Sequence, residues 1–311
     1  MKDLELLVKE YLATRRALGA DLAGAERMLR SFVAFLARSQ DSFVTTPLAL
    51  RWATEPRDAQ PAHLAARLGA VRTFARYASA ADPRHEVPPE GLLPAQPRRA
   101  IPYIYSDNEV ADLIGAARGL SGSTGLRPRT YATLLALLAA SGMRSSEPLR
   151  LDRNDVDLDQ GVLTVRESKF GKSRLVPVHV STAKALEAYA TQRDHLCPQT
   201  FSAAFFLSKR GTRIVQNTLE QTFVQLSRQV GLRSPSDSRG PRLHDLRHRF
   251  AVRTLLRWYR DGVDVESHLP RLATYLGHAH MNDTYWYLTA TPELLQLAAK
   301  RLDSVTRRLP T

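Results

Sequence analysis

Apolar residues recur every three or four positions through most of this chain. Leu4, Val8, Tyr11 and Leu12 form one stripe, and Met28, Leu29, Phe32, Phe35 and Leu36 form a second. That spacing predicts amphipathic helices within residues 3–38. Residues 61–80 predict another, with Leu64, Leu68, Val71, Phe74, Ala75 and Ala78 on one side and Arg67, Arg72 and Arg76 elsewhere. The first ninety residues therefore read as a small helical bundle, a shape that suits a structural or protein-binding role as well as any other. Residues 83–102 break the periodicity with Pro83, Pro88, Pro89, Pro94, Pro97 and Pro102, and add Arg98 and Arg99. Such a composition predicts a linker, either a spacer or a basic strap able to follow a duplex backbone.

A second pattern begins near Tyr105. Ser106 followed three residues later by Glu109 is a capping-box helix start. Thr130–Ala140 is apolar on all sides and predicts a buried helix. Val162–Arg166 and Arg174–Val178 predict two short strands, joined by a hairpin with Gly171 at its turn. Helical spacing resumes at Ser181–Arg193, Thr218–Val230 and His244–Arg260, and again around Leu269–Leu276, Asp283–Leu288 and Pro292–Leu302. Ser234–Gly240 reads as a polar loop. The fold class is mainly α with a small β-hairpin or sheet (α+β), in two domains.

Composition narrows the partners. The 311 residues carry a formal net charge of +13 and a sequence pI near 10.2, which favours a polyanion such as nucleic acid. The excess is uneven: residues 1–95 hold 13 Lys+Arg against 11 Asp+Glu, and residues 96–311 hold 31 against 20. The single cysteine, Cys197, excludes an internal disulfide framework and a cysteine-rich zinc site. The N-terminus MKDLELLVKEYL places acids where a signal peptide would be basic, and the apolar runs are short. These features predict a cytoplasmic protein without a membrane partner. No convergent carboxylate cluster stands out, which argues against a metal-dependent nuclease.

Four local patterns carry possible chemistry. His244-Asp245-Leu246-Arg247-His248 places His244 and Arg247 three apart, a proton carrier beside a planar phosphate clamp. A solvated basic helix face would look the same. Ser141-Gly142-Met143-Arg144-Ser145-Ser146-Glu147-Pro148 puts Arg144 at a helix start, with Glu147 placed to hold it; a structural salt bridge is the plainer reading. Lys169 lies in the predicted hairpin loop Glu167-Ser168-Lys169-Phe170-Gly171-Lys172, by itself a solvated basic turn. Leu276-Gly277-His278 is a helix stop followed nine positions later by Tyr287.

In this order the pieces resemble the tyrosine recombinase (phage integrase) family: SGMRSSE, SKFGKSRLVPV, HDLRHRFA and LGHAHMNDTYWY. The motifs cover residues 105–290. The resemblance implies a helical core-binding, DNA-binding domain at 1–95 and a basic Pro-rich linker end at 96–104. It further implies a catalytic domain at 105–290 and a C-terminal tail at 291–311 that docks on a neighbouring subunit. It implies a DNA strand transferase working without metal or cofactor on double-stranded DNA, as a homo- or hetero-tetramer. The implied catalytic set is Arg144, Lys169, His244, Arg247, His278 and Tyr287, with Glu147 behind Arg144. Tyr285 and Lys172 are the competitors of Tyr287 and Lys169; the family's spacing and the Arg174-Leu175-Val176-Pro177 run favour the latter pair. The tail wording TYWYLTATPELL also looks like recombinases carried on mobile elements. The segment between Arg247 and His278 is longer than the family's usual one, and Arg249 replaces a small polar residue. A type IB topoisomerase-like enzyme and a catalytically inert DNA-binding protein are the alternatives.

Overall fold

In a computed structural model of the chain, described here for residues 4–20, 22–94, 101–122, 125–166, 173–200, 202–237, 239–289 and 291–306, the chain divides into two units, Met1–Ala100 and Ile101–Thr311. The first unit holds α1 (Leu4–Ala17), α2 (Ala23–Arg38), α3 (Thr46–Thr54) and α4 (Pro61–Ala81). Most of the stripe residues read from the sequence face inward: Val8, Tyr11 and Leu12 meet Leu29, Phe32, Leu68, Val71 and Phe74 in one core, joined by Leu7, which the stripe left out, while Leu4 is only partly buried at its edge. Trp52 of α3 is fully buried, with its ring 5.2 Å from that of Phe32. Helix α3 is absent from the sequence expectation. Nine residues bury only Ala49, Trp52 and Ala53, so its helicity rests on packing, the Thr45 cap and Pro47 in the first turn.

Part of the predicted linker belongs to this unit. Arg72 of α4 donates to the carbonyls of Pro88 and Pro89 at 2.8 and 2.7 Å, and buried His85 accepts at Nδ1 from the Val44 amide. Proline offers no N–H but keeps its carbonyl, and Arg72 uses it. Residues 95–100 lie outside the described residues.

The second unit is built around α6 (Leu126–Ser141). It is apolar on every side because α5 (Asp107–Arg118), α8 (Val180–Leu196) and α10 (Asp245–Arg260) all pack on it. The capping box at Ser106 and Glu109 starts α5. A short α7 (Ser146–Arg150) leads to a three-stranded antiparallel sheet in the order β1 (Val156–Asp157), β2 (Val162–Val165), β3 (Arg174–Pro177). Val162 pairs with Pro177 and Val165 with Arg174, so the predicted hairpin pairs in register. β1 is too short for any periodicity to announce it. Gly171, Lys172 and Lys169 of its loop lie outside the described residues. The chain continues through α9 (Gln216–Gln229), α11 (Val265–Leu276), α12 (Asn282–Tyr285), a 3-10 turn at Trp286–Thr289 and α13 (Pro292–Thr306). Helix α10 begins one residue later than the spacing predicts, with His244 as its cap. Helix α11 begins four residues earlier. Pro270 sits inside it but on the exposed side, where water can serve the carbonyl that proline leaves unpaired. Alpha 13 packs on α10 of its own chain: Leu294 is fully buried, and Glu293 pairs with Arg260 at 2.5 Å.

Candidate active site

The last turn of α11 organises the site. Gly277 stops the helix at φ +70°, and the Gly277 and His278 amides fold back onto the Thr274 and Ala273 carbonyls. The next carbonyls, at the negative end of the helix dipole, each accept from a different arginine. Arg174 Nε donates to Tyr275 at 2.8 Å, Arg247 Nη2 to Leu276 at 2.8 Å, and Arg144 Nη2 to Gly277 at 2.6 Å. Residues distant in sequence therefore converge on three consecutive backbone oxygens.

Each arginine has a second anchor. Arg247 leaves the first turn of α10 and donates through Nη1 to the Gly142 carbonyl at 2.9 Å. Gly142 ends α6 at φ +61°, and a Cβ there would lie 2.5 Å from the Phe250 ring. Only glycine suits both demands. Arg144 follows in the loop before α7, where Glu147 accepts from its amide at 2.8 Å and its Nη1 at 3.0 Å. Arg174 then grips the same carboxylate at both oxygens, at 2.8 and 2.9 Å. Burial pushes the Glu147 carboxyl up, but the hydrogen bonds and charges of Arg174 and Arg144 outweigh it and hold it below the usual range. Burial lowers the Arg247 guanidinium to about 10, with the Tyr287 hydroxyl opposing that drop.

Tyr287 stands in the 3-10 turn and is only 2% exposed, whereas Tyr285 on α12 is 45% exposed. Three rings surround Tyr287: His278 stacked at 5.9 Å, His248 at 5.5 Å and Trp286 at 5.6 Å. Burial raises the phenol pKa, while the charge and hydrogen bond of Arg247 pull it back. His278 Nδ1 lies 2.7 Å from the hydroxyl of Thr284, itself fully buried. A Thr284 donor there places the ring proton on Nε2. Burial first, and then Arg247, brings the His278 pKa to about 4. His244 is exposed at one edge, yet atoms crowd its ring. That crowding, followed by the charge of Arg247, lowers its pKa. His248 bridges the two halves, 5.0 Å from the His244 ring, with its buried Nδ1 unpartnered and a pKa of about 4 from burial.

Of the residues singled out from sequence, Arg144, Glu147, His244, Arg247, His278 and Tyr287 gather here. Lys169 lies outside the described residues, although Arg174, at the start of β3 beyond its loop, reaches the centre. Arg249 turns away, donating to the Tyr105 carbonyl and pairing with Asp107, and so ties α10 to the start of α5. Sequence reasoning missed Arg174, His248 and Thr284. Arg174 and His248 were visible inside the quoted motifs, but nothing in spacing marks a side chain for the partner it will meet.

The model of the phage integrase family matches residues 105–293, well over half of the chain. This chain belongs to the phage integrase family, the tyrosine recombinases. A Sinorhizobium fredii (strain NBRC 101917 / NGR234) protein, provisionally named integrase/recombinase y4rB, is 49% identical over 97% of this chain and 98% of its own length. The tyrosine recombinase XerD of Caulobacter vibrioides is 30% identical over 94% of this chain and 92% of its own. Among solved structures, the fold is similar to XerH site-specific recombinase bound to a palindromic difH substrate in a post-cleavage complex. There the TM-score is 0.67 at 18% identity, covering 96% of this chain and 84% of that one. It is also similar to a lambda integrase tetramer bound to a Holliday junction, with TM-score 0.60, 17% identity, and 89% and 77% covered. Members of the family are DNA-strand-transferring enzymes, and this tyrosine recombinase is one of them. No helix among the described residues is long and apolar enough to cross a membrane.

Proposed function

We propose that this recombinase cuts and rejoins double-stranded DNA at defined sites through a 3′-phosphotyrosine on Tyr287. One observation carries the reading: a buried phenol faces Arg247, while Arg247 and Arg144 are pinned to neighbouring carbonyls of one helix end. The phenolic oxygen attacks phosphorus, the bond to O5′ breaks, and a 5′-hydroxyl leaves. The ester energy stays in the phosphotyrosine, so a later attack by a 5′-hydroxyl reseals the strand without metal, cofactor or nucleotide. Arg144 and Arg247 bind the non-bridging oxygens, where charge accumulates. A histidine with a lowered pKa is neutral near pH 7, which suits His244 to take the tyrosine proton. Lys169 gives a proton to the leaving O5′, His278 donates a hydrogen bond to the phosphate, and Glu147 orients Arg144. Residues 1–95 grip the DNA as the core-binding domain, the linker end at 96–104 joins it to the catalytic domain at 105–290, and four subunits act together in the cytoplasm.

The test is covalent capture. Wild-type protein is incubated with nicked duplexes from a random-sequence pool, and DNA linked to protein is recovered. Tyr287→Phe should give no adduct and Tyr285→Phe an adduct like wild type. The reverse pattern would move the nucleophile to Tyr285.

A further inference from the structure

Arg174 is held inside the site by three side-chain hydrogen bonds, all to protein acceptors. Its two Nη atoms meet both oxygens of Glu147, and its Nε meets the Tyr275 carbonyl. Its side chain lies against Gly277, where a Cβ would come 3.0 Å from Nη1. Its side chain is 10% exposed, against 21% for Arg144, and all three of its nitrogens serve protein acceptors. Glu147 and α11 are thus joined through it, and the two clamp arginines depend on those same elements: Arg144 on Glu147 and Gly277, Arg247 on Leu276.

We propose that Arg174 is a positioning residue of the recombinase, holding Glu147 and the last turn of α11 where Arg144 and Arg247 must find them to bind the scissile phosphate. The inference rests on the functional reading above. It concerns a residue that touches no substrate and acts through its neighbours. Lysine cannot replace it, because a single ammonium cannot span a carboxylate and a carbonyl on separate elements with the fixed geometry of a guanidinium fork. Loss of Arg174 leaves the buried Glu147 carboxylate with Arg144 alone. The carboxylate then draws that side chain inward, and the carbonyl of Tyr275 loses its donor. Misplacing a clamp by about 1 Å lowers the rate of a positioned reaction on the order of 10²-fold.

The experiment compares wild type, Arg174→Lys and Arg174→Ala on one nicked duplex selected with wild type by covalent capture. Rate of adduct formation, DNA Kd and Tm are measured together. Both variants should form adduct on the order of 10²-fold more slowly, with Kd within about threefold of wild type. Arg174→Lys should keep a Tm near that of wild type. A second duplex carries a methylphosphonate at the scissile position, which removes the oxygen charge the clamp serves. The gap between wild type and variants should shrink on that duplex, whereas general unfolding would leave it unchanged. Wild-type rates in Arg174→Lys, or an equal gap on both duplexes, would overturn the proposal. No adduct from wild type on any DNA would overturn the functional reading and this inference with it, a result separable from failure of the Arg174 variants alone.

Discussion

At the scale of single residues, the site depends on positions where only one side chain fits. Gly142 combines φ +61° with a Phe250 ring that would sit 2.5 Å from a new Cβ. Gly142→Ala should therefore lose about 2 kcal/mol or more of stability in urea unfolding. Phe250→Ala in the same chain should restore the part due to the clash but not the part due to the backbone. The imidazoles make a second prediction. His248 and His278 have folded pKa values of about 4, below their ordinary 6.5. Above pH 6.5 both are neutral whether folded or unfolded and contribute no pH dependence. Below it the unfolded chain takes up protons first, so stability falls as pH drops from 6.5 towards 4. Urea midpoints across that window should slope downward, and His248→Gln with His278→Gln should flatten the slope. An unchanged slope would mean that other groups carry it. These partners are invisible in sequence: HDLRHRFA exposes His248 to view, but the Tyr287 and Trp286 rings beside it come from a segment nearly forty residues away.

At the scale of elements, local signals and packing divide the work. The Ser106 box was legible because a cap is a bargain struck within four residues: Glu109 N–H to Ser106 Oγ at 3.2 Å, and Ser106 N–H to Glu109 Oε2 at 2.7 Å. Ser106→Ala should lower the unfolding free energy by about 1 kcal/mol. Helix α3 escaped notice because its nine residues bury only three side chains, two of them alanines, and strand β1 because two residues cannot show a period; each is held by what it packs or pairs with. Alpha 13 gives the tail its prediction. Its first turn is fastened to α10 by Leu294 and Glu293, so the inter-subunit docking that the family resemblance implies for the tail is proposed for the part beyond. Deleting residues 300–311 should abolish tetramers on DNA in sedimentation while moving Tm by no more than a few degrees. Tetramers that survive this deletion would remove the tail from assembly.

At the scale of the whole molecule, the chain keeps separate cores in its two units, and most of its positive excess falls after residue 95. Sequence alone determined the helical stripes, the hairpin, the two-part layout and the order of motifs that marks a recombinase. The stripes, the hairpin and the layout follow from periodicity, turn chemistry and composition, which act over a few neighbours; the motif order speaks through its resemblance to the family. The tertiary structure alone decided that the Tyr275, Leu276 and Gly277 carbonyls would each take a different arginine, and that Arg174 would share Glu147 with Arg144. It also decided that Tyr287, not Tyr285, would be the ring buried against Arg247. The physical reason is distance along the chain: 133 residues separate Arg144 from Gly277. A hydrogen bond across that interval exists only once the second unit has folded.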